Sequence, residues 1–380
     1  MRPGKLLLSL VFSIFPVALW AYGFSLAGFD LVTVGYVPED SDSPNVLTEG
    51  SVSARFIPAS WVNFRGGISF LLPDTGNFFN PATESSTPGA LLFDNASINL
   101  RPQLAPTLGI TFFTGKLDDP ASDSLIREWF KRSIDRPEFQ DLPAGMAFSS
   151  ESVIDGTGMM VASVPGNANC VTGFYGYWNS RKGSDAVFTA DGRIGAVGDL
   201  WKLNAFAGFS LQPDALKPTF RGALTALLSN DSGNDLYISA GLRNTEFENS
   251  KIGRNLYFVF EPRLYWERTD LALTFFSSPV FPDNAISYIP EDSESNYLGA
   301  NLLVGFGNLE EIGMRGGVSL LGSINPKDPG SVTPFSFSVT PFYTMMVSDF
   351  KCTLSTAIKP LSLDDPERAI QISLSMKAVY

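Results

Sequence analysis

Polar and apolar residues alternate with a period of two along most of this chain, the pattern of strands whose two faces meet different solvents. Ser51, Ser53 and Arg55 share one face while Val52, Ala54 and Phe56 share the other. The next segment sets Asn63, Arg65, Gly67 and Ser69 against Val62, Phe64, Ile68 and Phe70. The pattern returns as Asn95, Ser97, Asn99 and Arg101 against Ala96, Ile98 and Leu100, and as Tyr237, Ser239 and Arg243 against Leu236, Ile238, Ala240 and Leu242. Arg315 and Ser319 likewise oppose Ile312, Met314, Val318 and Leu320. The longest example, residues 255–267, carries Glu261, Arg263 and Glu267 on one side and Leu256, Phe258, Phe260, Leu264 and Trp266 on the other. Charge on one face and bulky hydrocarbon on the other suits a strand with lipid outside and a watery lumen inside.

The connectors between these segments differ in length by turns. Residues 38–49, 73–89, 116–154, 246–251, 282–295 and 324–331 are polar stretches rich in Pro, Ser, Asp or Asn, whereas 59–60, 165–167, 198–199, 268–269 and 348–349 are turns of a few residues. Long loops on one side and tight turns on the other predict an all-β fold, a closed antiparallel transmembrane β-barrel of about 18 strands, with 16 as the alternative. The alternative stays open because the stretches around Arg193 and Phe281 alternate weakly. A ring of this size is too wide for its own side chains to fill.

The last segment sets Gln371, Ser373, Ser375 and Lys377 against Ile370, Ile372, Leu374, Met376, Ala378 and the terminal Tyr380. An alternating final strand ending on an aromatic residue resembles the assembly signal of bacterial outer-membrane barrels, although phenylalanine is the usual last residue there. The resemblance is one of architecture, to porin-like outer-membrane barrels, and names no subfamily. It implies the lipid bilayer and the barrel-assembly machinery as partners, and it allows a homo-oligomer.

Residues 1–21 read as a cleavable signal peptide. Arg2 and Lys5 precede an apolar run from Leu6 to Leu19, with the small Ala21 at the expected cleavage point. Residues 22–380 are then a single barrel, and the location is the bacterial outer membrane.

The third outer loop, residues 116–154, contains the one clear helical signal. Ser122 or Asp123 is the cap, followed by Leu125, Ile126, Trp129 and Phe130 at helical spacing and by Arg127, Lys131 and Arg132 on the remaining surface. In length and position it resembles the third loop of porins, which folds into the barrel and narrows the pore. That resemblance implies a constriction carrying Leu125, Arg127, Trp129 and Lys131, with a helix lying on the outer rim as the rival arrangement. The inward charges expected from alternation are Arg55, Arg65, Arg101, Lys202, Arg221, Arg243, Glu261, Arg263, Arg315, Lys351 and Lys377. Trp61, Trp178, Trp201, Tyr265, Trp266 and Tyr380 fall near strand ends, where membrane barrels carry aromatic girdles.

Composition narrows the function. Hydrophobic residues make up 44% and charged residues 17%, with 27 basic against 39 acidic side chains for a net charge of −12. This is no footprint of a nucleic-acid binder. The mean hydropathy of +0.08 goes with no mature run long and apolar enough for a spanning helix. Histidine is absent, which removes the commonest general base and metal ligand. Cys170 and Cys352 have no metal-ligand spacing and read as ordinary strand residues. No cofactor or metal is expected, and the chain reads as no enzyme. The expected function is a channel for passive diffusion of small hydrophilic solutes or ions. The alternatives are a barrel transporter for hydrophobic substrates, resembling fatty-acid channels, and a surface barrel with no transport role.

Overall fold

The computed structural model describes residues 23–37, 44–73, 89–105, 107–118, 123–138, 154–166, 169–179, 187–211, 218–246, 256–279, 296–324, 335–365 and 369–378. The expected signal peptide, Tyr380, the side chain of Arg243 and residues 119–122 and 139–153 of the third loop lie outside the described residues. The strands are β1 Phe24–Tyr36, β2 Asn45–Ala59, β3 Val62–Leu72, β4 Ala90–Leu100, β5 Leu108–Asp118, β6 Ile154–Ser163, β7 Cys170–Asn179, β8 Val187–Val197 and β9 Trp201–Leu211. They continue as β10 Pro218–Ser229, β11 Asp235–Glu246, β12 Leu256–Trp266, β13 Thr269–Pro279, β14 Asn296–Asn308, β15 Met314–Ile324, β16 Phe335–Val347, β17 Phe350–Ile358 and β18 Ile370–Ala378. Among the described residues one helix, α1 (Ser124–Phe130), follows β5, and a 3-10 turn at Pro360–Ser362 lies in the last connector.

Each strand pairs antiparallel with its neighbours in sequence, and β1 also pairs with β18, from Asp30 opposite Lys377 to Gly35 opposite Ile372. The 18 strands therefore form a closed ring. Closure leaves no edge whose N–H and C=O groups would face hydrocarbon unpaired, the condition a sheet must meet to cross a bilayer. The turns at 60–61 and 348–349 lie at the end of the barrel where β1 starts and β18 stops, as the pairs Phe24 with Phe56 and Phe350 with Ala378 show. The longer connectors lie at the other end.

Alternation places the side chains as the two-solvent pattern requires. On β12, Leu256, Phe258, Phe260, Leu264 and Trp266 are exposed on the outer surface, while Tyr257, Val259, Glu261 and Arg263 are buried inside. The weak pattern near Arg193 has a simple cause. β8 points Thr189, Asp191 and Arg193 inward, and its outward residues include Ala190 and Gly192, so the outer face lacks the bulk that makes alternation visible. β13 ends at Pro279, just before Phe281, which lies outside the described residues, and with β8 and β13 in place the strand number is 18, not 16.

Boundaries shift in a few places. β2 already begins at Asn45, paired with Tyr36, inside the stretch read as the first loop. Lys116 to Asp118 extend β5 into the third loop, where they pair with β6. The turn after β12 is Glu267 with Arg268 and not Arg268 with Thr269, because Thr269 pairs with Trp266. Glu267 takes a positive φ of 34°, and Ser348 in the matching turn one of 55°, as two-residue hairpins of the hand that fits strand twist require. Cys170 and Cys352 are free and lie in strands.

Arginine at Phe258 or Leu374, both outward, is expected to cost about 2–4 kcal/mol near the bilayer midplane, whereas Ser373→Arg on the inner face is expected to be mild. Denaturant unfolding of the refolded protein in lipid measures the difference, and equal losses on the two faces would overturn the inside-outside assignment.

Candidate functional site

The interior is organised around the polypeptide that follows β5. A seven-residue helix is too short to hold itself together in water, and α1 is held by what it touches. Leu125 packs with Phe113, Met160, Val171, Tyr175 and Tyr177, inward residues of β5 to β7. Its neighbour Ile126 belongs with Ile134 to a second cluster containing Val197, Leu227, Tyr237, Val259 and Phe276, inward residues of β8 and β10 to β13. Consecutive residues of one helix thus meet different arcs of the wall, so α1 stands inside the ring. Trp129 lies against β5 at Gly109, where a Cβ would sit 3.2 Å from the indole.

The local chain supplies its own stops. The Asp123 carboxylate accepts a hydrogen bond from the Ile134 N–H at 2.8 Å and pairs with Arg127 at 3.6 Å. Lys131 ends the helix in the left-handed conformation, φ 57°, with its N–H bonded to the Arg127 carbonyl. The chain then turns away, and Arg132 donates to the Gly198 carbonyl at 2.6 Å, in the tight turn between β8 and β9.

Charged contacts fix the segment at both ends. Arg193 of β8 donates to Asp118 at 2.7 Å and to the Ser124 hydroxyl at 3.0 Å. Glu128 accepts from Arg101 at 3.1 Å and from Asn99 at 3.3 Å, and the Arg101 guanidinium lies 4.5 Å above the Trp129 ring. Further along, Arg263 of β12 donates to the Asp135 carbonyl at 2.8 Å. Glu138 then joins Arg315 of β15 at 2.8 Å and Lys351 of β17 at 2.6 Å. In a ring of 18, β8 and β17 are nine places apart, directly opposite each other. Residues 123–138 therefore cross the lumen, close to the tight-turn end. Burial alone would raise the Glu138 pKa, but Lys351 and Arg315 outweigh it and hold the carboxyl down at about 2.

Several of the inward charges expected from the sequence are not open to the lumen. Glu261 and Arg263 form a buried pair at 2.6 Å, and Glu261 also accepts from Thr274. Arg315 forks onto Asp270. Arg221 forks onto Asp191 and donates to the Tyr177 hydroxyl, all three buried. In contrast, Arg65 is exposed and Arg55 half-buried on the inner face of β3 and β2. Lys202 is half-buried and Lys377 exposed. Of the four residues singled out for the constriction, Leu125 is buried and Trp129 half-buried, while Arg127 and Lys131 are exposed. Asp118, Glu128, Glu138, Asp191, Arg193 and Asp270 were not singled out by the sequence. For Asp191 and Arg193 the signal was available, two charges at alternate positions in a β-spaced stretch. Between residues 135–138 and the wall from β12 to β15 a cavity of about 480 Å³ remains, lined by Arg263, Tyr265, Asp270, Glu310 and Arg315 among others.

No protein-family model and no curated protein sequence matches the chain. Solved structures do. The Escherichia coli outer-membrane protein Wzi, described as a carbohydrate-binding β-barrel involved in group 1 capsule assembly, aligns over 100% of this chain and 89% of its own with 8% identity and a TM-score of 0.52. OccAB4 of Acinetobacter baumannii aligns over 92% and 96% with 10% identity and a TM-score of 0.51. Salmonella typhi OmpF aligns over 93% and 97% at 9% identity, with a lower TM-score of 0.46. At these identities the likeness is one of fold, and the fold is that of the bacterial outer-membrane β-barrels.

Proposed function

We propose that this protein is an outer-membrane channel for passive diffusion of small hydrophilic solutes, its pore set by the segment from Asp123 to Glu138. The observation that carries the reading is the crossing itself, a stretch of chain fastened to Arg193 and Arg101 on one side and to Arg315 and Lys351 on the other. A barrel serving only as a surface scaffold has no need of charged fasteners across its interior. A carrier of hydrophobic substrates is less well supported, because the apolar inward residues of β5 to β13 are already covered by Leu125, Ile126 and Ile134. In this reading the passage beside α1 runs past the inner faces of β2, β3 and β18, where Arg65 and Lys377 are exposed and Arg55 is half-buried. Arg127 and Lys131 complete the constriction from the segment's free face. In this reading the tight-turn end is periplasmic and the long loops face outward.

Replacing residues 123–138 by a short Gly-Ser linker is expected to raise single-channel conductance and the size limit for sugars, while the barrel keeps its heat-modifiable mobility. Unchanged conductance would remove the segment from the pore. Glu138→Gln should release the far end of the segment and give a larger, noisier conductance at neutral pH. Because the Glu138 pKa lies below the ordinary carboxylate value of 4.5, its fastening is complete above that value and is lost only as the pH falls through about 2. The native channel should accordingly keep its narrow conductance down to about pH 3, which bilayer recordings across a pH series can check.

A further inference from the structure

Inward arginines in this barrel come in two kinds. Arg193, Arg221, Arg263 and Arg315 each hold a carboxylate, from Asp118, Asp191, Glu261 and Asp270 respectively. Arg55 and Arg65 hold none among the described residues, and the Nε of Arg55 is buried without an acceptor. They are also direct register partners across β2 and β3, an arrangement in which like charges repel and destabilise the pair. Across β3 and β4, Arg65 stands opposite Ser97, on the inner face that Arg101 continues four residues further on. Of the three guanidinium groups on this wall, only that of Arg101 is paired among the described residues, with Glu128 at 3.1 Å.

We propose that Arg55, Arg65 and Arg101 form a binding site for a small oxyanion, the carboxylate or phosphate group of a solute in transit. The inference rests on the channel reading and adds the class of solute. Planar guanidinium groups match the two oxygens of such an anion by paired N–H donation. Trp129 lies beneath Arg101 and Asn99 beside it through Glu128, so that Arg101 is held in one orientation while Arg55 and Arg65 keep free donors. Glu128 has a second effect: its charge weakens the hold on an anion, and a site on a conduction path must release what it binds. The site lies on the β2 to β4 wall, facing α1, so a solute crossing the constriction meets it.

Planar-bilayer recordings of the refolded full-length protein in a KCl gradient test the proposal, followed by titration of the chloride current with inorganic phosphate in one arm and succinate in the other. Chloride is expected to be preferred over potassium, and at least one of the two oxyanions to reduce the current saturably; the arm with the lower half-blocking concentration identifies the headgroup. Arg55→Gln with Arg65→Gln should raise that concentration by about tenfold, the scale of one charge-assisted hydrogen bond, and shift the reversal potential toward zero. Arg55→Lys with Arg65→Lys keeps the charge without the fork, so the reversal potential should stay while the block weakens. Cation preference, or currents that fall with neither oxyanion, would overturn the oxyanion site and leave the channel reading standing. Absence of any conductance in a heat-modifiable, folded barrel would remove both.

Discussion

A ring of 18 strands encloses more space than its own inward side chains can fill. The ring closes because unpaired backbone groups are not tolerated in hydrocarbon, and closing it at this size creates a lumen that something else must occupy. Here a piece of the third loop does so. The two apolar clusters around Leu125 and Ile126 and the fasteners at Arg193, Arg101 and Arg315 all follow from where that piece lies.

The charge pattern inside follows from the same geometry. Where the segment covers the wall, an inward arginine loses water and needs a carboxylate close by, since an unpaired buried charge is strongly destabilising. Arg221 has Asp191 and Arg263 has Glu261 for that reason, and both pairs are supported by neighbouring hydroxyls. Where an inward side chain is exposed, as Arg65 and Lys377 are, water solvates it and the requirement lapses. Covered and uncovered arcs of one barrel thus obey different rules, although their strands read alike in sequence.

That difference marks the limit of what could be read from the chain. The strands were legible because each must serve two solvents at once, and the quartet Leu125, Ile126, Trp129 and Phe130 was legible because helical spacing stands out among period-two segments. The strand at Val187–Val197 was harder, since Ala190 and Gly192 mute its outer face. The acid partners were not legible. Asp118 meets Arg193 and Glu138 meets Lys351 only once the ring has a definite circumference, and no local pattern encodes which residues lie across from one another. Alternation placed Glu261, Arg263 and Arg315 on the inner face, but no local pattern shows that residues 135–138 lie over Arg263 and Arg315.

The fastening of Glu138 also bears on how the molecule is made. Its partners lie 177 and 213 residues further along the chain, on β15 and β17. Contacts so distant in sequence cannot form until the intervening strands have brought them together, and they are late by nature in any folding sequence. The crossing segment therefore settles into its final position only when the barrel is nearly complete, so that during assembly the lumen is wide first and narrow last.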